Sequence, residues 1–224
     1  MNKFIVLVAG GKGLRMGTDI PKQFLPLLGK PVLMHTIHAF YNWDSVINII
    51  VVLPKSQQEY WKQLIKNHNF TIPHQVTTGG ETRFHSVSNG LALVPKDVLV
   101  GIHDAVRPLV SHDAIERCFN TASQKGNAIP FIPINDSLRS LNDGKNTILD
   151  RSKVVSIQTP QVFQSNLIKE AFNVSYQDFF TDDASVLENH GTAINLVEGN
   201  FENIKITTPT DLKIAEILKI KTNQ

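Results

Sequence analysis

Phe4-Ile5-Val6-Leu7-Val8 runs directly into Ala9-Gly10-Gly11-Lys12-Gly13-Leu14-Arg15-Met16-Gly17. Five consecutive apolar residues, mostly β-branched, predict a buried strand. The glycines that follow let the backbone approach a ligand closely and turn its N–H groups inward, as a phosphate cradle requires. A strand opening into such a loop predicts an α/β fold whose ligands bind outside the carboxyl ends of the strands. The short apolar run leads into a basic, glycine-rich loop and not into a cleavage site, so it reads as a strand and not as a signal peptide.

The rest of the chain fits that frame. Strands are predicted at Phe4–Val8, Val46–Leu53, Gln75–Thr78, Val98–His103 and Asn127–Ile132, with helices at Val32–Phe40, Gln57–Asn67, Arg83–Leu93 and Ser111–Gln124. This alternation, with strands apolar on both sides such as Ile49–Leu53, predicts a Rossmann-like, mainly parallel sheet covered by helices on both faces. The loops beginning at Ala9, Thr78 and Asp104 are then the places to seek a site. Residues 135–151 break the alternation. They read as a β-hairpin around Asn142-Asp143-Gly144-Lys145-Asn146, too poor in apolar residues for its own core, and so as an arm that projects or packs on another subunit. Helices at Ser165–Val174 and Asp183–His190 and strands at Thr192–Val197 and Ile204–Thr207 follow. A last helix is signalled by Thr208, Pro209 and Asp211. One domain, residues 1–224, with an arm at 135–151 is the expected organisation.

Composition excludes several classes. The chain has 224 residues, 22 Lys+Arg against 20 Asp+Glu, 42% hydrophobic and 19% charged residues. That is globular, not disordered, and the small net charge of +2 excludes a polycation built to coat nucleic acid. The lone Cys118 excludes an intramolecular disulfide framework and a cysteine zinc site. No apolar run is long enough to span a membrane. A cytoplasmic protein binding neither membrane nor nucleic acid is the expectation.

The glycine loop is neither a dinucleotide fingerprint nor a P-loop. Gly11, Gly13 and Gly17 leave one residue too many for Gly-x-Gly-x-x-Gly, and no Gly-Lys-Ser/Thr ending exists. Pro21-Lys22-Gln23-Phe24 should place Lys22 on an extended loop near Arg15, two cations able to converge on one polyphosphate. Asp104 ends a strand where a metal carboxylate is expected; pairing with Arg107 to pin the loop is the structural alternative. Thr181 reads equally well as the N-cap of the helix after it. Lys205 lies between Ile204 and Ile206, a pattern that ordinarily turns a lysine to solvent.

These blocks together resemble a known family. The glycine loop with Pro21-Lys22-Gln23-Phe24 resembles the signature of sugar-phosphate nucleotidyltransferases. Gly79-Gly80-Glu81-Thr82-Arg83-Phe84-His85-Ser86-Val87, His103-Asp104-Ala105-Val106-Arg107-Pro108 and Thr181-Asp182-Asp183-Ala184-Ser185 narrow the likeness to the 2-C-methyl-D-erythritol 4-phosphate cytidylyltransferases. The resemblance implies a homodimer clasped by the arm, with CTP and a sugar-alcohol phosphate as substrates. It places Ala9, Gly10, Gly11 and Gly13 at CTP, and Arg15 and Lys22 on the triphosphate. Gly80, Glu81 and Ser86 would meet cytosine and ribose, and Asp104 would ligate Mg²⁺. Arg107, Thr181 and Lys205 would face the methylerythritol phosphate, with Ser137 and Arg151 reaching the neighbouring subunit's site. The implied catalytic set is Arg15, Lys22, Arg151 and Lys205. Ser137 stands where the family usually has Thr, which keeps the hydroxyl. Two alternatives remain open: a ribitol-5-phosphate cytidylyltransferase, towards which Val106 leans, and a non-catalytic nucleotide-binding protein.

Overall fold

The computed structural model describes residues 1–10 and 20–222. In chain order, β1 (Lys3–Val8) is followed by a small ribbon of β2 (Pro26–Leu27) and β3 (Lys30–Pro31). Then come α1 (Val32–Trp43), β4 (Asn48–Leu53), α2 (Lys55–Asn67), β5 (Gln75–Thr78), α3 (Arg83–Ala92) and β6 (Leu99–Asp104). The next stretch holds α4 (His112–Lys125), β7 (Asn127–Pro133), the hairpin β8 (Leu138–Asn142) and β9 (Lys145–Leu149), and then β10 (Val155–Ile157) and β11 (Gln161–Gln164). The chain closes with α5 (Ser165–Ala171), α6 (Asp183–Asn189), β12 (Leu196–Glu198) and α7 (Pro209–Thr222).

The described strands form an eight-stranded sheet in the order β10-β7-β11-β6-β1-β4-β5, with β12 also paired to β7. The pairs β1–β4, β1–β6, β4–β5 and β7–β12 are parallel, so the expected mainly parallel sheet is present. Sequence periodicity did not reveal β10 and β11. The latter inserts antiparallel between β6 and β7, and at four residues it is too short for a periodic signal. Residues 204–207 do not form the expected strand: Ile206 N–H donates to Val106 O at 2.9 Å, but Ile204 N–H turns back to Glu202 O at 2.7 Å and no ladder is formed. The Thr192–Val197 strand is displaced to Leu196–Glu198. The helix expected to reach Val174 stops at Ala171.

Alternation along β1 and β4 builds two cores. Ile5, Leu7, Ile49, Val51 and Leu53 point to one face and bury Phe40, Trp61, Ile115 and Phe119 from α1, α2 and α4. Val6, Ile50 and Val52 point to the other and bury Phe84, Val87 and Leu91 of α3 with Ile168 of α5. Each such side chain contributes roughly 1.5–3 kcal/mol on leaving water. Gly90 sets how closely α3 lies on β1, since a Cβ there would sit 2.5 Å from Val6 Cγ1. That close approach brings the N-terminal turn of α3 over the end of the sheet. α7 packs its Ala215 with Leu27, Val32, Val106 and Ile206. Its predicted start is present, with Asp211 N–H donating to Thr208 Oγ1 at 3.3 Å and Thr208 N–H to Asp211 Oδ2 at 2.8 Å.

The arm is a two-stranded ribbon turned by Asp143 and Gly144, both at positive φ, the conformation the Asp-Gly pair favours. Leu141 and Ile148 are about 80% and 79% exposed. An isolated hairpin gains little from such a face.

His35 of α1 makes stability depend on pH. Burial pushes its pKa from 6.5 to about 4, outweighing the bond from its ring to Leu27 O at 2.7 Å. A depressed value means that the unfolded chain takes up the proton first. The contribution is therefore complete above about pH 6.5 and lost as pH falls towards 4, amounting to about 3 kcal/mol. Urea unfolding of wild type and His35→Gln at pH 7 and pH 4 should show a smaller pH-driven loss in the variant. Equal losses would remove His35 as the titrating group.

Candidate active site

The site forms where β1, β4 and β6 end together. Ala9 N–H donates to Val52 O at 3.0 Å, Ala105 N–H to Val8 O at 3.1 Å and Gly79 N–H to Leu53 O at 2.9 Å. The loops that leave β1, β5 and β6 wall a pocket of about 200 Å³, with Ala9, Gly10, Lys22, Gly80, Glu81, Arg83, Ser86, Asp104 and Lys205 among its lining residues. The loops expected after Ala9, Thr78 and Asp104 do converge.

Pro21-Lys22-Gln23-Phe24 explains itself locally. Pro21 is extended, but Lys22–Phe24 form one turn of 3-10 helix, not the extended loop expected. The Gln23 amide, buried, donates to Ala9 O at 2.9 Å and to Gln57 Oε1 at 2.6 Å. Phe24 stacks on Trp61 with ring centroids 6.0 Å apart. These two residues fasten the turn to the end of β1 and to α2, so Lys22 enters the pocket from a fixed backbone.

On the opposite wall, Ser86 is committed to structure. Its hydroxyl accepts from Gly80 N–H at 3.0 Å and donates to Thr82 O at 3.0 Å, leaving an acceptor lone pair and no free proton. Ser86 therefore shapes the Gly79–Thr82 turn more than it presents a donor to a ligand. Gly80 is required there, because a Cβ would fall 2.3 Å from His85 Cβ. Thr82 caps α3, accepting from His85 N–H.

Asp104 is the electrostatic centre. Lys205 Nζ lies 3.0 Å from Oδ2, Arg107 Nε 3.2 Å from Oδ2 and Arg83 Nε 3.8 Å from Oδ1. Burial alone would raise its pKa. Arg83, Lys205 and Arg107 outweigh that and hold the carboxyl well below the usual range, ionised. The structural alternative is thus present, since the carboxylate pins Arg107, and the same carboxylate lines the pocket. Arg83 makes a bidentate pair with Asp183 at 2.9 and 2.6 Å. Burial pushes the Asp183 carboxyl up, and Arg83 opposes it.

Behind the carboxylate a hydrogen-bonded ring fixes the end of β6. Asp104 N–H donates to Thr159 Oγ1 at 3.1 Å, and Thr159 Oγ1 meets His103 Nδ1 at 2.9 Å. His103 Nε2 meets Arg107 O at 3.0 Å. Burial pushes His103 down to about 4, so the ring is neutral. With Arg107 O able only to accept, Nε2 carries the proton and Nδ1 accepts from the threonine hydroxyl. Arg107 Nη1 donates to Asn203 O at 2.7 Å, and Asn203 Nδ2 to Thr159 O at 2.8 Å.

A metal could be held by Asp104, but among the described residues no group of three or more His, Cys, Asp or Glu gathers as a cation cage. An ionised carboxylate at the pocket wall suits Mg²⁺ in the mode in which one protein carboxylate is joined by substrate phosphates and water.

The profile of the 2-C-methyl-D-erythritol 4-phosphate cytidylyltransferases matches residues 4–220. The chain belongs to this family. A family relative from Phocaeicola vulgatus is 55% identical over 218 residues, covering 97% of this chain and 100% of its own. One from Bacteroides thetaiotaomicron is 53% identical with the same coverage. Among solved structures, 4-diphosphocytidyl-2C-methyl-D-erythritol synthase from Anaerococcus prevotii superposes with a TM-score of 0.82 at 25% identity, covering 98% and 96% of the two chains. The Thermus thermophilus 2-C-methyl-D-erythritol 4-phosphate cytidylyltransferase gives 0.79 at 29% identity, covering 97% and 98%.

Within the family frame, the predicted residues separate cleanly. Ala9, Gly10, Lys22, Gly80, Glu81, Ser86, Asp104 and Lys205 line one pocket, and Arg107 braces it through Asp104. Gly11, Gly13 and Arg15 lie outside the described residues. Thr181 is exposed, is not among the pocket-lining residues and is not a cap: Asp182 caps α6, accepting from Ser185 N–H at 2.9 Å. Asp182 suits the role better because its carboxylate also accepts from Gln161 Nε2 at 2.7 Å. Ser137 and Arg151 sit at the exposed base of the arm, where the Arg151 guanidinium donates to Asn135 O, and neither lines this pocket. Sequence reading missed the site roles of Arg83, Asp183 and Thr159. The Thr181–Ser185 block held one signal, two adjacent acids of which only one is needed as a cap.

Proposed function

We propose that the pocket transfers a cytidylyl group from CTP to 2-C-methyl-D-erythritol 4-phosphate, giving 4-diphosphocytidyl-2-C-methyl-D-erythritol and pyrophosphate. The observation that carries this reading is the meeting of Lys22, Asp104 and Lys205 with the Gly10 and Gly80 backbone in one pocket of a family member. Cations outnumber carboxylates there, as a polyphosphate needs.

The nucleophile is a phosphate monoester with a second pKa near 6, already mostly an oxyanion at neutral pH. Its oxygen bonds to the α-phosphorus of CTP while the bond to the β-phosphate oxygen breaks, and pyrophosphate leaves with that electron pair. No general base is needed, consistent with a neutral, fully hydrogen-bonded His103. The protein's work is alignment and fixed positive charge. Lys22 and Arg15 hold the triphosphate. Gly80 and Glu81 border the base and ribose. Arg107 and Lys205 orient the acceptor phosphate. A Mg²⁺ held by Asp104 would supply further charge neutralisation when bound. The exposed Leu141 and Ile148 face suits a homodimer in which the arm brings Ser137 and Arg151 to the neighbouring site.

Pyrophosphate release from CTP tests the reading. Turnover should require an acceptor and strongly favour methylerythritol phosphate over ribitol 5-phosphate. Preference for ribitol phosphate would replace the assignment, and silence with both acceptors would favour a non-catalytic nucleotide binder.

A further inference from the structure

Beyond Arg107 the chain continues as Pro108–His112 into a second cleft, between α1, the start of α4 and the end of α7. It measures about 550 Å³, and none of its lining residues lines the first pocket. That volume falls in the range of sites for small organic ligands and is far more than a bare ion fills.

Charge in this cleft is unbalanced. Lys219 and Lys221 both line it, and neither makes a hydrogen bond or ion pair with any described residue. Lys219 is half-buried, and burial pushes its pKa below the usual lysine value with no opposing carboxylate. The lining holds one acid against the two lysines, Glu202, whose carboxylate accepts from Asn200 Nδ2 at 3.2 Å and makes no ion pair with either lysine. Burial first, and then Lys30 and Lys219, depress His38, which lines the cleft along with His112. A half-buried ammonium without a partner is costly unless an anion supplies one. The remaining wall includes Ala39, Leu109, Val110 and Leu218, which is apolar.

We propose that this cleft is a second binding site, for a small phosphate monoester with an apolar body. A dianionic tetrahedral group matches two ammoniums and neighbouring imidazole donors better than a planar carboxylate does. The apolar wall takes the rest of the molecule.

The test uses n-butyl phosphate as probe, titrated calorimetrically into the full chain with CTP at saturation. Saturable binding is expected in wild type and in Lys205→Ala, whose acceptor site is disabled. Lys219→Glu should bind at least ten-fold more weakly while its basal turnover stays at the wild-type level. Lys219→Gln, which leaves charge reversal out, should weaken binding about three-fold or more. Inorganic phosphate should bind more weakly than the butyl ester. No binding in wild type, binding abolished by Lys205→Ala, or binding unaffected by both Lys219 variants would each overturn the proposal. Equal affinity for inorganic phosphate would overturn the apolar part of it.

Discussion

Asp104→Asn is expected to lower turnover by about 10³-fold and to cost about 3–5 kcal/mol of folding stability at pH 7. The substitution keeps shape and volume but removes the one charge that Lys205, Arg107 and Arg83 share. The Arg107 side chain is only 12% exposed, so water cannot replace the carboxylate. The Asn amide would place a donor or a weak neutral acceptor against guanidinium and ammonium groups. The pH dependence follows from the depressed pKa of Asp104. A carboxyl ionised more readily in the fold contributes fully above its unfolded value near 3.9, and that contribution disappears as pH falls through and below it. Wild type and variant should therefore differ most in urea unfolding near neutral pH and converge in acid. Pyrophosphate release read alongside separates the two roles: wild-type turnover in a destabilised variant would make Asp104 a brace and nothing more.

The parts of this molecule that were legible in sequence are those written within a few residues. Apolar strands ending in glycine, the Asp143-Gly144 turn and the Thr208–Asp211 start are local patterns, and each occupies its expected place. The convergence of three loops was also legible, because parallel sheets put their loops at one edge. Contacts between distant segments were not. Arg83 and Asp183 lie 100 residues apart, and Thr159 reaches His103 across 56. Nothing in helical or strand period links such pairs. Ser86 shows a second limit: a hydroxyl in the right place can already be spent on the backbone, which only the hydrogen-bond partners reveal. Lys205 shows the reverse, since alternation turned it outward and outward here is the pocket, where Asp104 waits.

Lys22→Ala is expected to lower turnover by about 10²–10³-fold, a loss of about 3–4 kcal/mol in transition-state stabilisation, while CTP binding stays measurable. The size rests on how the residue is mounted. Its neighbours carry the anchoring: Gln23 bonds Ala9 O and Gln57, and Phe24 stacks on Trp61. Truncating Lys22 therefore leaves the turn in place, and the effect reports lost charge, not a collapsed loop. Charge builds on the α-phosphate and the departing pyrophosphate only as the P–O bond breaks, so a fixed ammonium stabilises the transition state more than bound CTP. The loss should appear in kcat with little change in CTP affinity, and Lys22→Arg should recover part of it by restoring the charge with a different geometry. Gln23→Leu offers the contrast. It keeps the ammonium and cuts the tether to β1, so both kcat and CTP affinity should fall. Near-normal turnover in Lys22→Ala would remove this lysine from the chemistry and leave the charge stabilisation to other cations of the pocket, Lys205 among them.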